Sequence, residues 1–127
     1  MDCPKVVVEV CLRNDWQCDG HQAIVPIANQ RHQTLSFELF LFDGQDMLRI
    51  FTAMGPIASL SAIQLNGVLG LNASLAFGAL AVRGSDLVMT DTYLLQGDCH
   101  AQLAHSMRFI AETADSYERE IYRTDQY

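Results

Sequence analysis

The sequence predicts a single α+β domain in which an antiparallel sheet of about five strands packs with helices. Two hairpin patterns supply most of the sheet, and a long amphipathic pattern near the C-terminal end supplies the main helix. The chain has 127 residues, a length typical of one domain, so residues 1–127 are treated as one unit. Half of the residues are hydrophobic, which is enough to build a core without disulfide bonds.

The C-terminal amphipathic pattern is the clearest element. After Asp98, apolar residues recur at alternating spacings of four and three, which places them on one face of a helix. Asp98 is suited to cap that helix, because its carboxylate can accept from free N–H groups of the first turn. The apolar stripe consists of Leu103, Met107, Ile110, Ala114, Tyr117 and Ile121.

The first hairpin is centred on Asp43 and Gly44, a dipeptide that favours a tight turn between strands. Residues Thr34–Phe42 alternate apolar and polar side chains before the turn, and Met47–Thr52 return after it. A shorter strand over His21–Ile27 is predicted to precede this pair.

The second hairpin joins Leu75–Val82 to Leu87–Leu94 through the turn-forming residues Arg83–Asp86. Gly78 interrupts the first of these strands. A glycine inside a strand indicates a bulge or a close approach of the backbone to another group.

Two segments have weaker patterns. Residues Ile57–Leu71 keep helical spacing, but the helix either ends near Gly67 or carries two destabilising glycines. Near the N-terminus, Val6–Val10 favour a strand by propensity. The same segment also fits a helix with Pro4 in its first turn, although propensity alone would choose the strand. The apolar face of that helix would be Val7, Val8, Cys11 and Leu12.

The charge of the chain restricts its partners. Eight basic residues stand against 15 acidic ones, giving a net charge of −7, and Lys5 is the single lysine. We therefore expect no nucleic-acid partner and no binding to anionic membranes, because both require clustered basic side chains. The N-terminal residues lack a signal-peptide pattern, so the expected location is the cytoplasm, where the four cysteines would stay reduced.

The search for catalytic chemistry yields little. The motifs of hydrolases, nucleotide-binding loops and zinc peptidases are missing, which predicts a non-enzymatic protein without a cofactor. Cys18 and His21 form one Cys-x-x-His pair, but a metal site needs three or four ligands. The carboxylates of Glu112, Asp115 and Glu118 are expected on a solvated helix face rather than in an acid/base pair.

An uncharged span from Phe51 to Val82 is the most unusual feature of the composition. It is interrupted too often by polar residues to cross a membrane, so it is interpreted as core together with a subunit interface. The residues predicted to form that protein-interaction or dimer interface are Leu65, Val68, Leu69, Phe77, Leu80 and Val82.

Several short strings, within residues Leu69–Val82, Arg83–Met89 and Ala111–Glu118, resemble YbjN-like proteins. They are also similar to the class I type III secretion chaperones of the Tir-chaperone type. The resemblance implies the order helix, three strands, helix, two strands, helix, and so favours a helix as the first element. It also implies a dimeric protein without catalytic residues.

These observations support one leading hypothesis, a non-enzymatic homodimeric protein-interaction or chaperone-like domain. An alternative is a dedicated type III secretion chaperone that binds an effector protein. A second alternative is a small metal- or ligand-binding protein that uses Cys18 and His21.

Overall fold

The computed structural model describes residues 3–28 and 30–123. Within these ranges, three helices accompany one six-stranded antiparallel sheet, in the order α–β–β–β–β–α–β–β–α. Along the sheet the strands lie in the order β1-β2-β3-β4-β6-β5, so β1 and β5 are its edges. The elements are α1 (Lys5–Asn14), β1 (Gln17–Asp19), β2 (Gln22–Ile27), β3 (Arg31–Phe42), β4 (Gln45–Pro56), α2 (Ala62–Leu71), β5 (Ala79–Arg83), β6 (Asp86–Leu94) and α3 (His100–Arg123).

The α+β class is confirmed, but the sheet has six strands where about five were predicted. The additional strand is β1, which pairs antiparallel with β2 from Gln17 opposite Ile24 to Asp19 opposite Gln22. Three residues are too few to produce a recognisable alternation of apolar and polar side chains, so the sequence gives no signal for this strand.

The hairpin between β3 and β4 follows its sequence signal. Asp43 and Gly44 both have positive φ angles, 53° and 75°, and they join Phe42 directly to its partner Gln45. A two-residue hairpin turn of type I′ requires positive φ angles at both of its central residues. The pairing then continues to Ser36 opposite Phe51.

The helix α3 lies across one face of the sheet and forms the centre of the core. It contacts β2, β3, β4 and β6, and it also packs against α1. The predicted stripe is confirmed, with Leu103, Met107, Ile110 and Ala114 fully buried. Each such large apolar side chain contributes up to about 1.5–3 kcal/mol relative to exposure.

The predicted cap of α3 lies slightly outside the helix. The helix begins at His100, and Asp98 accepts a hydrogen bond from the His100 backbone N–H at 3.3 Å. Its carboxylate also contacts Nδ1 of the His100 ring at 2.7 Å. Asp98 thus accepts from the first backbone N–H of the helix, but its shortest contact is with the His100 ring.

The first element is a helix, as the resemblance implied, although valine propensity favoured a strand. Val7, Val10 and Cys11 are buried in the core, while Leu12 is 77% exposed. Packing against α3 therefore overrides local propensity, since the helical spacing lets these three side chains face the core together.

The helix α2 starts later than predicted. Residues Ile57–Ser59 form a single 3₁₀ turn, and the α-helix begins after Ser61, whose hydroxyl accepts from the Gln64 N–H at 3.1 Å. The Gln64 side chain accepts from the Ser61 N–H in return, at 2.8 Å. This reciprocal cap fixes the start, and the helix continues through Gly67 to Leu71.

The strand β5 is shorter than the predicted strand Leu75–Val82, because only Ala79–Arg83 pair with β6. Gly78 precedes it with φ +73°. A Cβ at that position would lie 2.8 Å from the Thr90 carbonyl oxygen and 2.9 Å from Cδ1 of Ile110. The predicted close approach is confirmed, and it lies immediately before the first residue of β5.

Candidate interaction surface around the second helix and the edge strand

The helix α2 differs from the other two helices in what it touches. Its main contacts are with β5 and with the 3₁₀ turn Asn72–Ser74 that follows it. Val68 is the one residue of α2 that is buried. The helix carries no charged residue, so its exposed side is apolar or weakly polar.

The large apolar residues that α2 and β5 expose are Ile63, Leu69 and Val82, and we call the exposed side of these two elements the α2–β5 surface. These three side chains are 83%, 61% and 60% exposed, respectively.

Two glycines extend the α2–β5 surface. Gly67 and Gly70 follow Ile63 at spacings of four and seven, so all three lie on the face of α2 opposite Val68. A Cβ at either glycine would meet no atom within 4 Å. Contacts within the chain therefore do not require glycine there, although each costs about 1 kcal/mol in a helix relative to alanine. Small residues on an open helix face allow another backbone to approach closely.

The six residues predicted as an interface occupy different environments. Leu69 and Val82 are exposed on the α2–β5 surface, and Leu65 is half-buried. Val68 and Leu80 are buried within the chain, so their side chains belong to the core rather than to the exposed surface.

Phe77, the sixth predicted residue, is placed against α3. Its ring lies edge-on to His105, with centroids 6.1 Å apart, and edge-on to Phe109 at 5.4 Å. It is half exposed and borders a cavity at the first turns of α3.

The backbone edge of β5 is partly occupied by a side chain. The amide oxygen of Asn72 accepts from the Leu80 N–H at 2.7 Å, and its NH₂ group donates to the Leu80 carbonyl at 3.2 Å. Asn72 thus fills the position that a neighbouring strand would take at Leu80. Contacts at the α2–β5 surface are therefore expected to use side chains more than strand pairing.

The face of the sheet opposite α3 carries an ionic cluster that sequence reasoning missed. Glu38 of β3 pairs with Arg49 at 2.7 Å and with Arg83 at 3.0 Å. The two guanidinium groups lie over the rings of Phe40 and Phe51, at 4.4 and 4.0 Å. Hydrogen bonds from Arg83, and to a smaller extent from Arg49, lower the pKa of the Glu38 carboxyl.

No local signal predicts this cluster, because its residues come from three strands. Only the register, with Glu38 opposite Arg49, brings them together. Since the charged side chains are more than one-third exposed, the ion pairs add little to stability.

Asp115 was predicted on a solvated helix face, but the structure corrects this. The residue is 6% exposed, and its carboxylate accepts from Nε of Arg31 at 3.2 Å and from Nη2 at 2.9 Å. Arg119 lies one helical turn further on, at 3.5 Å. The ion pair connects α3 to the start of β3.

The Cys18–His21 pair gains no further ligand in the part of the chain described. Across residues 3–28 and 30–123, no three His, Cys, Asp or Glu side chains are grouped so as to hold a metal ion. The thiol of Cys18 instead interacts with that of buried Cys11. Burial, together with Cys18, raises the pKa of Cys11 to about 12.

Comparisons with protein-family models, characterised proteins and solved structures give no significant match to this chain. No helix in residues 3–28 and 30–123 is both long enough and apolar enough to cross a bilayer. The fold and the surface therefore define the class of the protein as an α+β domain with an uncovered apolar helix beside a sheet edge.

Proposed function

We propose that this chain is a non-enzymatic protein-interaction domain of the chaperone-like type, acting in the cytoplasm as a homodimer. The observation that carries the proposal is the α2–β5 surface, where Ile63 and Leu69 of α2 and Val82 of β5 are 83%, 61% and 60% exposed. Burial of this surface against a second copy would remove apolar area from water, which is the main driving force of association.

The composition of α2 supports self-association as the mode of contact. A two-fold axis would bring one α2 helix against its copy, and an uncharged helix creates no repulsion in that arrangement. Gly67 and Gly70 lie beside Ile63 on the open face, so the two backbones could approach closely there. The net charge of −7 would disfavour the same contact through a charged surface.

Light scattering on the full chain over a range of micromolar concentrations tests the proposal. The expected result is a dimer that dissociates in the variants Ile63→Asp and Leu69→Asp, with a dissociation constant raised at least about tenfold. The matched control is Leu12→Asp, which adds the same charge at a leucine of α1 that is 77% exposed, between Leu69 and Ile63. Circular dichroism checks that each variant is folded.

Two results would contradict the proposal. A wild-type chain that stays monomeric throughout the micromolar range rules out the dimer. Equal weakening by Leu12→Asp would show that added negative charge, rather than the α2–β5 surface, controls association.

A further inference from the structure

A cavity of about 610 Å³ opens between the segment before β5, the end of β6 and the first turns of α3. This volume lies in the range typical of small-molecule sites. The cavity is separate from the α2–β5 surface, since no residue of α2 lines it. Its lining residues are Phe77, Asp91, Thr92, Tyr93, Ala101, Gln102, His105 and Ser106.

The cavity combines aromatic rings with one carboxylate. The rings belong to Phe77, Tyr93 and His105, which come from three separate elements or segments. Asp91 lies on β6 two residues before Tyr93, so the two side chains share one face of the strand. An aromatic lining together with an anionic group is typical of sites for organic cations, since ring faces and carboxylates both attract positive charge.

Asp91 lacks a positive partner among the described residues. The six ion pairs found within residues 3–28 and 30–123 do not include it. Within the described part of the chain, its one hydrogen bond is from the Thr92 backbone N–H, at 2.9 Å. Burial raises the pKa of the Asp91 carboxyl, so the anion is less well solvated than a surface carboxylate. A bound cation would compensate this loss of solvation.

We propose that this cavity binds an alkylammonium ion, with Asp91 as the counter-ion and the rings of Phe77 and Tyr93 against its alkyl or methyl groups. Anionic ligands are disfavoured by Asp91 and by the net charge of −7. Divalent metal ions are disfavoured because Asp91 is the one carboxylate in the lining, and no three His, Cys, Asp or Glu side chains are grouped among the described residues.

Among the described residues, no amine or guanidinium group is placed in the cavity. The single lysine of the chain, Lys5, lies on α1. The nearest arginine along α3, Arg108, lies instead over the ring of Trp16, with 5.3 Å between the guanidinium carbon and the ring centroid. The ligand is therefore expected to come from outside the chain, either as a free quaternary amine or as a primary amine of the lysine type.

The test is an NMR titration of the full chain with choline, with butylammonium and with 3,3-dimethylbutan-1-ol. The alcohol is the neutral isostere of choline. Saturable shifts are expected for at least one of the two cations, at the amides of residues 91–93 and 101–106. Tighter binding of choline indicates a free quaternary amine as the source, and tighter binding of butylammonium indicates a lysine-type amine. The alcohol should bind at least about tenfold more weakly than the better cation.

Two variants separate the charge from the rings. Asp91→Asn should weaken the better cation at least about tenfold, whereas Asp86→Asn, which removes the same charge at the other end of β6, should change nothing. Phe77→Leu keeps an apolar side chain but removes a ring face, so it should weaken the cation without weakening the alcohol.

The proposal is overturned if neither cation gives saturable shifts at millimolar concentrations, or if the shifts map to other residues. It is also overturned if the alcohol binds as well as the cations, because the cavity would then be apolar only. Unchanged cation binding in Asp91→Asn, in a variant whose spectrum remains dispersed, contradicts the role of the carboxylate.

Discussion

The helices α2 and α3 show that apolar content and burial are separate properties. In α2, nearly every side chain is apolar or uncharged, yet Val68 is the one residue that is buried. In α3 the apolar residues are fewer in proportion, but their spacing puts Leu103, Met107 and Ile110 together beneath the sheet. Periodicity decides which helix builds the core, and an apolar helix without it retains an exposed face.

The largest expected difference between the two helices is in the effect of shortening an isoleucine. Ile110→Ala should lower the free energy of unfolding by about 2–5 kcal/mol, because it opens a cavity in the core. Ile63→Ala makes the same chemical change at an 83% exposed site and should cost less than about 0.5 kcal/mol in the monomer. Urea unfolding at dilute protein concentration measures both.

Similar losses of unfolding free energy in Ile110→Ala and Ile63→Ala would contradict the difference in burial between α3 and α2. They would mean that α2 is covered in solution even at high dilution.

A smaller effect is expected at the ion pair that ties α3 to the sheet. Asp115→Asn should lower the free energy of unfolding by about 1–3 kcal/mol, because Arg31 then faces a neutral amide in a largely buried site. Glu38→Gln is the matched control, because its ion pairs are more exposed and should contribute at most about 1 kcal/mol.

Thermal or urea unfolding in moderate salt measures the two ion-pair variants side by side. A loss for Asp115→Asn no greater than that for Glu38→Gln would show that the contact between α3 and β3 depends on apolar packing alone.

The smallest expected effect is a pH dependence at the contact between α1 and α3. His100 has a carboxylate at each ring nitrogen, with Asp98 at 2.7 Å from Nδ1 and Glu9 of α1 at 3.0 Å from Nε2. Only the protonated ring can donate to both. Glu9 and Asp98 raise the pKa of His100 above its ordinary 6.5, while Arg13 opposes this shift.

Because the folded pKa of His100 is raised, its stabilisation is complete below pH 6.5 and is lost as pH rises through the folded pKa. The pKa values of Glu9 and Asp98 are lowered, so their contributions are lost only in more acidic solution. The urea midpoint, followed from about pH 5.5 to about pH 9, should fall for the wild type and fall less for His100→Gln. Parallel curves would assign the pH dependence to other groups.

The elements that the sequence predicted are those with a complete local signal. The stripe of α3 repeats over several turns, and Asp43-Gly44 dictates a hairpin turn by itself. The strand β1 was missed because three residues carry no periodicity, and β5 begins late because Gly78 contacts Thr90 and Ile110, which are distant in sequence. The first error reflects a strand too short to carry a pattern, and the second reflects a tertiary contact that no local window contains.

The two candidate sites also differ in whether the sequence could predict them. The uncharged span predicted the region of the α2–β5 surface, and Leu69 and Val82 are exposed there. The cavity beside Asp91 could not be predicted, because Phe77, Asp91 and His105 are separated in the chain and meet only when α3 packs on β6. Within the sequence, Asp91 is simply a polar residue of a strand.

The Asn72 amide has a consequence for how copies of this chain can assemble. The sheet has two edges, β5 and the three-residue strand β1. If β5 of one molecule paired with β1 of the next, each addition would leave a new edge, and the molecules would join into an open-ended filament. Since Asn72 already satisfies both backbone groups of Leu80, that route loses the hydrogen bonds at Leu80. A side chain of one residue thereby favours closed, finite assembly over polymerisation.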